Sequence, residues 1–423
     1  MRRPCLAGAR PTQSRKIHPE AASRLEAMID LRAARNDPDT FRAALARRGA
    51  AQAFDDLLAA DEEWRSLVPR VDALRARQKL DGKPTPEQLE QLRQTKEELR
   101  ALEEELAVAE AERDAALARV PNLPHESAAD GMTEDDAVVL REWGERRPDG
   151  PEHLELAGYD MERGARISGS RFGVIVGDAA RLSLALYRLA LDRLVEEGFT
   201  PVLPPVLVRE EAMYGTGFFP SEKNDYYSVP EDGLYLVGTS EVPLIAMHMG
   251  EILDELPIRY CAFSSCFRRE SGAAGRDTRG MFRVHQFQKV EMVAYTHPDA
   301  SWDEHERLLA VEEGLVREVG LPYRVVNTAA GDLSAAAAKR YDIEAWFPSQ
   351  QRYREITSCS NTTDYQARRS GIRYRVDEKR LETPHTLNGT AVTDRWALAL
   401  LENFGGDVPE VLQQLGAPAR IRK

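Results

Sequence analysis

The feature that most limits what this chain can fold into is a long, regularly patterned stretch near its N-terminus. Between residues 52 and 119, Leu57, Ala60, Trp64, Leu67, Val71 and Leu74 recur at alternating spacings of three and four. After a break, Leu92, Thr95, Leu99, Leu102, Leu106, Ala109, Ala116 and Val120 do much the same. That is the 3.5-residue period of a coiled-coil seam. The break is Asp81-Gly82-Lys83-Pro84, after which Thr85-Pro86-Glu87-Gln88 restarts a helix. Thr85 serves as N-cap, Pro86 takes the first helical position and Gln88 closes a capping box. Two helices joined by so short a turn must fold back antiparallel, as a hairpin roughly 40–50 Å long at 1.5 Å per residue. Pro69 removes a backbone donor inside the first helix, so a kink is expected there. A charged hairpin of this kind is either a dimerisation spacer or an arm that reaches a partner, and its pattern alone leaves both open.

The segment before the arm is short and well punctuated. Met28-Ile29-Asp30-Leu31-Arg32 leads into a helix with Asp37 at its N-cap, Pro38 at its first position and Gly49 just past its end. Residues 1–27 are basic and irregular, and lack the apolar run of a signal peptide. Met28 is read as the natural start, with the first 27 residues a loose extension.

Length and composition exclude several classes. A chain of 423 residues is expected to form two or three domains. No apolar run approaches the ~18 residues that span a bilayer. Cys5, Cys261, Cys266 and Cys359 form no CxxC pair and have no histidine at zinc spacing, which favours free thiols in a reducing cytoplasm. The formal net charge of -13 argues against loose, non-specific nucleic-acid binding, but not against local basic patches on an acidic body.

Past Val120-Pro121-Asn122-Leu123-Pro124 the composition changes. Short apolar runs at Phe172–Val176, Leu234–Val237, Phe282–Tyr295 and Ile372–Val376 alternate with helical stretches. Strands this close together predict a mainly antiparallel sheet flanked by helices, hence an α+β fold. The domains expected are a helical unit over 28–125, carrying the arm, and a catalytic unit over 126–423.

The densest chemistry lies in residues 266–292, CFRRESGAAGRDTRGMFRVHQFQKVEM. It reads as a strand, a Gly-rich turn from Ser271 to Gly280, and a returning strand. Arg268, Arg269, Arg276, Arg279 and Arg283 surround the turn, with Glu270, Phe287 and Glu291 among them. Converging guanidinium forks suit a polyphosphate, an aromatic offers a base a stacking plane, and a carboxylate accepts from an exocyclic amine. There is no GxxxxGK[ST], so a P-loop is excluded. A charged, solvated hairpin explains the arginines equally well at this point.

The stretch FRRE…RGMFRVHQFQKVE resembles motif 2 of class II aminoacyl-tRNA synthetases, in the form found in seryl-tRNA synthetases. Gly198-Phe199-Thr200-Pro201-Val202-Leu203-Pro204-Pro205 with Leu207-Val208 resembles motif 1, the dimer-interface segment. Met213-Tyr214-Gly215-Thr216-Gly217 and Val237-Gly238-Thr239-Ser240-Glu241 follow in family order. Tyr353-Arg354-Glu355-Ile356-Thr357-Ser358-Cys359-Ser360-Asn361 resembles the metal-binding strand. His385-Thr386-Leu387-Asn388-Gly389-Thr390, with Arg395 and Leu401-Glu402-Asn403, resembles motif 3.

The resemblance implies an enzyme that activates L-serine with ATP and transfers it to tRNA(Ser), and to tRNA(Sec), as a cytoplasmic homodimer using Mg2+. It implies Arg268, Glu355 and Arg395 as the catalytic residues. ATP would be held by Arg268, Arg269, Glu270, Arg283, Val284, Phe287, Glu355, Ile356, Thr357, Ser358 and Arg395. Serine would be held by Thr239, Ser240, Glu241, Arg268, Glu291, Asn388 and Thr390, and Mg2+ by Glu355 and Ser358 through the phosphates. The arm would grip the long variable arm of the tRNA with Arg70, Arg75, Arg77, Lys79, Lys83, Arg93, Lys96 and Arg100, about half of which would instead pair with nearby acids.

Three features depart from the family pattern. Motif 3 reads NGTAVTDR, without an additional glycine before the arginine, the segment after Asn403 is short, and Pro69 interrupts the arm. They suggest a divergent second copy, serving specialised metabolism or resistance to a serine-mimicking inhibitor. A ligase charging a carrier protein is the rival of a different class, and such homologues lack the arm.

Overall fold

The computed structural model describes residues 29–78, 85–156, 158–271 and 280–422. The expectations for residues 1–27 and Met28, for Lys79 and Lys83, and for Arg276 and Arg279 lie outside the described residues.

Capping residues set the N-terminal helices as the sequence predicts. Asp37 accepts from the Thr40 amide at the start of Pro38–Ala46, and Asp30 caps Leu31–Asn36 through the Ala33 amide. The arm is α1 (Ala51–Arg77) packed against α2 (Pro86–Arg119). The Thr85–Gln88 capping box is formed in both directions. α1 continues through Pro69 without ending, so the proline does not divide it.

The arm has two apolar clusters. Phe54, Leu57, Ala116, Leu117 and Val120 meet Ile29, Leu31, Ala34 and Leu45 at its root. Farther out, Leu67, Val71, Leu99, Leu102 and Ala109 form the seam with Trp64, Leu74 and Leu106 against it. Between them the buried Arg113 lies 3.9 Å over the Trp64 ring and donates to Asp114. Each fully buried Leu or Val contributes about 1.5–3 kcal/mol, so a thin seam suffices only because it runs the length of the arm.

Residues beyond the arm form an α+β unit on an eight-stranded sheet. Its strands are β1 (Val138–Trp143), β2 (Thr200–Val202), β3 (Ile258–Phe267), β4 (Gln286–Thr296), β5 (Tyr323–Asn327), β6 (Lys339–Phe347), β7 (Arg352–Asn361) and β8 (His385–Thr393). Their spatial order is β1-β5-β6-β7-β8-β4-β3-β2. Every pairing is antiparallel except the short β2–β3 contact. Three helices, α3 (Asp178–Glu196), α4 (Ser301–Glu318) and α5 (Asp394–Phe404), supply much of the main core with Val290, Met292 and Ala294 of β4.

All four expected strands are shorter than the apolar runs suggest, two of them markedly. Of Phe172–Val176 only Val174–Ile175 is a strand, and the run from Phe282 joins the sheet only at Gln286. Phe282 is held by packing instead of a ladder. It meets Phe347 edge-on at 5.4 Å, and the guanidiniums of Arg354 and Arg395 lie 3.7 and 4.6 Å from its ring.

Candidate active site

Side chains alternate faces along a strand, so Phe287, Lys289 and Glu291 of β4 share the face opposite the helical core. All three line one cavity of about 510 Å³. Arg268, Glu270, Arg283, Val284, Glu355, Ile356, Thr357, Ser358 and Arg395 line it too, as do Thr239, Glu241, Asn388 and Thr390. One surface thus collects residues from five segments more than 150 positions apart in sequence at the extremes.

Two irregularities in the ladder aim these residues. Between β6 and β7 the register slips after Ile343, leaving Ile356 opposite no partner. Glu355 and Ser358, three apart, would face opposite ways on a regular strand, and the extra residue lets both line the cavity. Between β4 and β8 a second slip leaves Ala391 unpaired and sets Thr390 opposite Glu291.

One end of the cavity is cationic and aromatic. The Arg268 guanidinium lies 5.2 Å from the Phe287 ring and donates from Nε to the Gly238 carbonyl at 3.3 Å. Arg283 Nη1 donates to Glu270 Oε2 at 2.5 Å, and Glu270 occupies left-handed backbone at φ 54°. Arg395 is the second residue of α5, which follows β8 with no loop between them. The absent motif 3 glycine therefore does not keep Arg395 from the cavity. Its Nη1 donates to the Glu355 carbonyl at 2.9 Å and lies 3.6 Å from the carboxylate. The preceding Asp394 accepts from Tyr187 Oη and, at 2.8 Å, from the Gln288 amide, pinning the start of α5 to β4. Enclosure by protein works to raise the Glu355 carboxyl, but Arg395, Arg340, Arg268 and Lys289 together hold it below its ordinary value.

The other end is acidic and buried. Lys289 Nζ lies 2.5 Å from Glu291 Oε2, and the Thr390 hydroxyl donates to the same oxygen at 3.2 Å. Glu241 Oε1 accepts from Asn388 Nδ2 at 3.0 Å and from Gln366 Nε2 at 2.6 Å, and its amide donates to Thr239 Oγ1. Burial, followed by the nearby Glu291 charge, pushes the Glu241 carboxyl up to about 7. Such a site offers one buried carboxylate paired with a lysine, one raised toward neutral pH by burial, and fixed hydroxyl and amide groups.

Two residues expected at the site do not line the cavity. Arg269 is not among the lining residues, its guanidinium lying 5.8 Å from the Tyr227 ring, as expected of the residue between Arg268 and Glu270, which both face the cavity. Ser240 is fully buried behind the wall, just before the helix Glu241–Ala246. Conversely, Lys289, Arg340, Glu222, Tyr226 and Phe282 line the cavity without having been expected there. Lys289 could have been found from its place midway between Phe287 and Glu291 on one strand face.

The arm residues divide as a charged helix surface does. Arg75 pairs with Glu103 and Asp72, Arg93 with Glu90, and Arg100 with Glu104. Arg70, Arg77 and Lys96 are exposed and make no ion pair among the described residues. No helix among the described residues is long and apolar enough to cross a membrane.

Comparison with known proteins agrees over nearly the whole chain. Residues 28–124 match the family described as the seryl-tRNA synthetase N-terminal domain, and 227–404 the class II tRNA synthetase core domain (G, H, P, S and T). A serine–tRNA ligase of Thermobifida fusca is 47% identical over 409 residues, covering 91% of this chain and 97% of its own. The crystal structure of seryl-tRNA synthetase from Pyrococcus horikoshii, complexed with ATP, superposes with a TM-score of 0.86 at 38% identity, covering 93% of this chain and 99% of that one. The cytoplasmic enzyme of Naegleria fowleri, in complex with AMP, gives 0.82 at 33%, covering 94% and 98%. The cavity, the strand that builds it and the arm before it therefore have one source: this chain belongs to the seryl-tRNA synthetases.

Proposed function

We propose that the chain activates L-serine with ATP and transfers it to the 3' end of tRNA(Ser), and of tRNA(Sec), with residues 28–125 as the tRNA-binding unit and 126–423 as the catalytic one. The observation that carries this reading is the single cavity shared by Arg268, Phe287, Glu291, Glu355 and Arg395. Phe287 stacks on adenine while Glu270 accepts from its amine. Arg268 holds the α-phosphate and the serine carboxylate together, and Arg283 and Arg395 take the γ-phosphate end. Glu291 receives the serine ammonium and hydroxyl, with Thr390, Asn388, Thr239 and Glu241 around it.

No protein nucleophile is required. The serine carboxylate oxygen attacks the α-phosphorus in line, pyrophosphate departs, and a ribose hydroxyl of the tRNA then displaces AMP from the mixed anhydride. Catalysis consists of positioning and of neutralising negative charge as it develops. Alanine is rejected because it leaves the buried groups around Glu291 unpaired.

The donor set fits Mg2+. Glu355 is kept ionised by the cations around it, its side chain is 47% accessible to the cavity, and the Ser358 hydroxyl lines the same wall. Among the described residues no group of three or more carboxylates, histidines or cysteines could hold a metal alone. A hard cation that enters with phosphates and keeps several waters suits one carboxylate and one hydroxyl. When bound it would draw charge from the phosphates and fix their geometry.

A homodimer fits the exposed apolar residues of α3 and motif 1. Leu184, Val195 and Leu203 are 64, 50 and 87% accessible. Cys261, Cys266 and Cys359 are buried free thiols, in keeping with a reducing cytoplasm.

Serine-dependent ATP–pyrophosphate exchange, followed by serylation of total tRNA, tests the reading. Wild type should do both, Arg268→Ala neither, and a chain lacking residues 52–120 only the exchange. Exchange without any charging of tRNA, but with transfer to a carrier-protein thiol, would replace it with the carrier-protein ligase.

A further inference from the structure

One wall of the cavity is a loop whose side chains do little to hold it in place. Ser334, Ala335 and Ala336 line the cavity, within the run Leu333-Ser334-Ala335-Ala336-Ala337-Ala338. Alanine methyls bury little area, and only Leu333 and Ala337 join a small cluster with Ala128. The loop's amides make one bond within the loop, from Ala337 to the Ser334 carbonyl, and one from Ala338 to the Asn361 carbonyl at the end of β7, whereas its carbonyls are held from the root of the arm.

Arg48 stands three residues before α1, and Asn122 three residues after α2. Arg48 Nη2 donates to the carbonyls of Leu333 at 2.9 Å and Ser334 at 2.6 Å, and Nη1 to those of Ala337 at 3.2 Å and Asn122 at 2.6 Å. The Asn122 amide donates to the Ala335 carbonyl and its Nδ2 to the Ala336 carbonyl, each at 2.8 Å. The His125 amide takes the Ala338 carbonyl, also at 2.8 Å. Every carbonyl from Leu333 to Ala338 thus accepts from the arm root or the segment leaving it. Arg48 has no carboxylate partner among the described residues, and burial pushes its guanidinium down to about 10. A cation placed in that setting is matched by geometry: five donors in a rigid fork reach several carbonyls at once, which an ammonium does not reproduce.

The loop touches the amino-acid end of the cavity. A Cβ on Gly217 would lie 3.4 Å from the Ala336 Cβ. The neighbouring Thr216 carbonyl accepts from Gln366 Nε2, which also donates to Glu241. Among the described residues, Phe287 and Glu270 make no hydrogen bond to the loop or to Arg48.

We propose that Arg48, with Asn122, is a positioning residue for serine activation, setting from the arm root the wall that closes the serine end of the pocket. The proposal rests on the serine-activating reading above. It separates two roles for the arm: its outer length meets tRNA, whereas its root shapes the pocket even when no tRNA is present.

The test is pyrophosphate exchange without tRNA, using the full chain as wild type, Arg48→Lys and Asn122→Ala, with melting temperature measured alongside. In Arg48→Lys, KM for serine is expected to rise about tenfold, the equivalent of one charge-assisted hydrogen bond, with KM for ATP changed less than about twofold. Asn122→Ala, which keeps the backbone donor and loses only the side chain, should show the same split more weakly and serves if Arg48→Lys does not fold. Amides of residues 333–338 should exchange faster in either variant. A lowered melting temperature with both KM values unchanged, or both rising together, overturns the proposal and leaves a structural role only. Absence of serine-dependent exchange in wild type would instead defeat the activating reading itself.

Discussion

Lys289 Nζ and Glu291 Oε2 lie 2.5 Å apart on one face of β4, with 5% and 1% of their residues accessible, and the Thr390 hydroxyl completes the group from β8. Burial works to raise the Glu291 carboxyl, and the lysine is the foremost influence opposing it. The carboxyl still lies above its ordinary range, and the ammonium limits how far burial pushes it toward the neutral form. Lys289→Met leaves Glu291 buried without that partner, so it binds a proton at higher pH than in wild type. At pH 7, KM for serine should rise about tenfold or more, and it should recover as pH rises toward 8.5, because deprotonation restores the binding form. Exchange kinetics between pH 6.5 and 8.5 check this, and a profile parallel to wild type would sink it.

Glu241 provides a pH effect on stability. Its folded-state value is near 7, above the ordinary 4.5, chiefly through burial. Between those values the folded chain holds more protons than the unfolded one, so this group favours folding at low pH, and its contribution falls as pH rises from 4.5 through 7. Glu241→Gln keeps an oxygen to accept from Gln366 and Asn388 but no longer titrates. The drop in melting temperature between pH 5.5 and 8 should therefore shrink in the variant, while serine affinity falls. An unchanged drop would show that other groups carry it.

Much of the arm was legible because its determinants are local. Thr85 and Gln88 sit three residues apart and cap each other as their identities require, and the Val71 and Leu99 seam follows from spacing alone. The cavity-lining arginines were singled out only through ordered resemblance, since arginines alone suit a solvated hairpin. What stayed hidden depends on contacts between distant segments. Lys289 meets Thr390 across a strand pair, and Arg48 meets Leu333 across 285 positions. The bulges at Ile356 and Ala391 are register choices that no single strand reveals. Arg269 was grouped with Arg268 because adjacent arginines read alike in composition, although neighbours on extended backbone face opposite ways and only Arg268 lines the cavity.

The exposed cations of the arm should act on tRNA and leave activation alone. Arg70, Arg77 and Lys96 have no acidic partner among the described residues, whereas Arg75 is committed to Glu103 at 2.9 Å. Replacing any of the first three with alanine should weaken tRNA binding and reduce the slope of log affinity against log salt by about 1. Arg75→Ala should change that slope less. Filter binding across a salt series, with exchange rates unchanged, gives the comparison, and equal slopes for all four variants would contradict it.

Among the described residues, Glu355 is the carboxylate that Arg395 approaches in the cavity, at 3.6 Å, and Arg340, Arg268 and Lys289 also act to keep it ionised. Glu355→Gln removes that negative charge from among the cations. Arg395, already disfavoured by burial, then faces the charges of Arg268, Arg354 and Arg283 without the Glu355 carboxylate that opposed them. A polyanion relieves this repulsion, so ATP affinity should be kept or tightened. Turnover should nevertheless fall about a hundredfold or more if, as proposed, this carboxylate holds Mg2+ on the phosphates. The concentration of Mg2+ needed for half-maximal exchange should rise as well. Binding of ATP followed by calorimetry, beside exchange rates over a Mg2+ series, separates the two effects. A variant whose KM for ATP rises in step with its loss of rate would mean that Glu355 serves binding in the ground state and not the transferring phosphate.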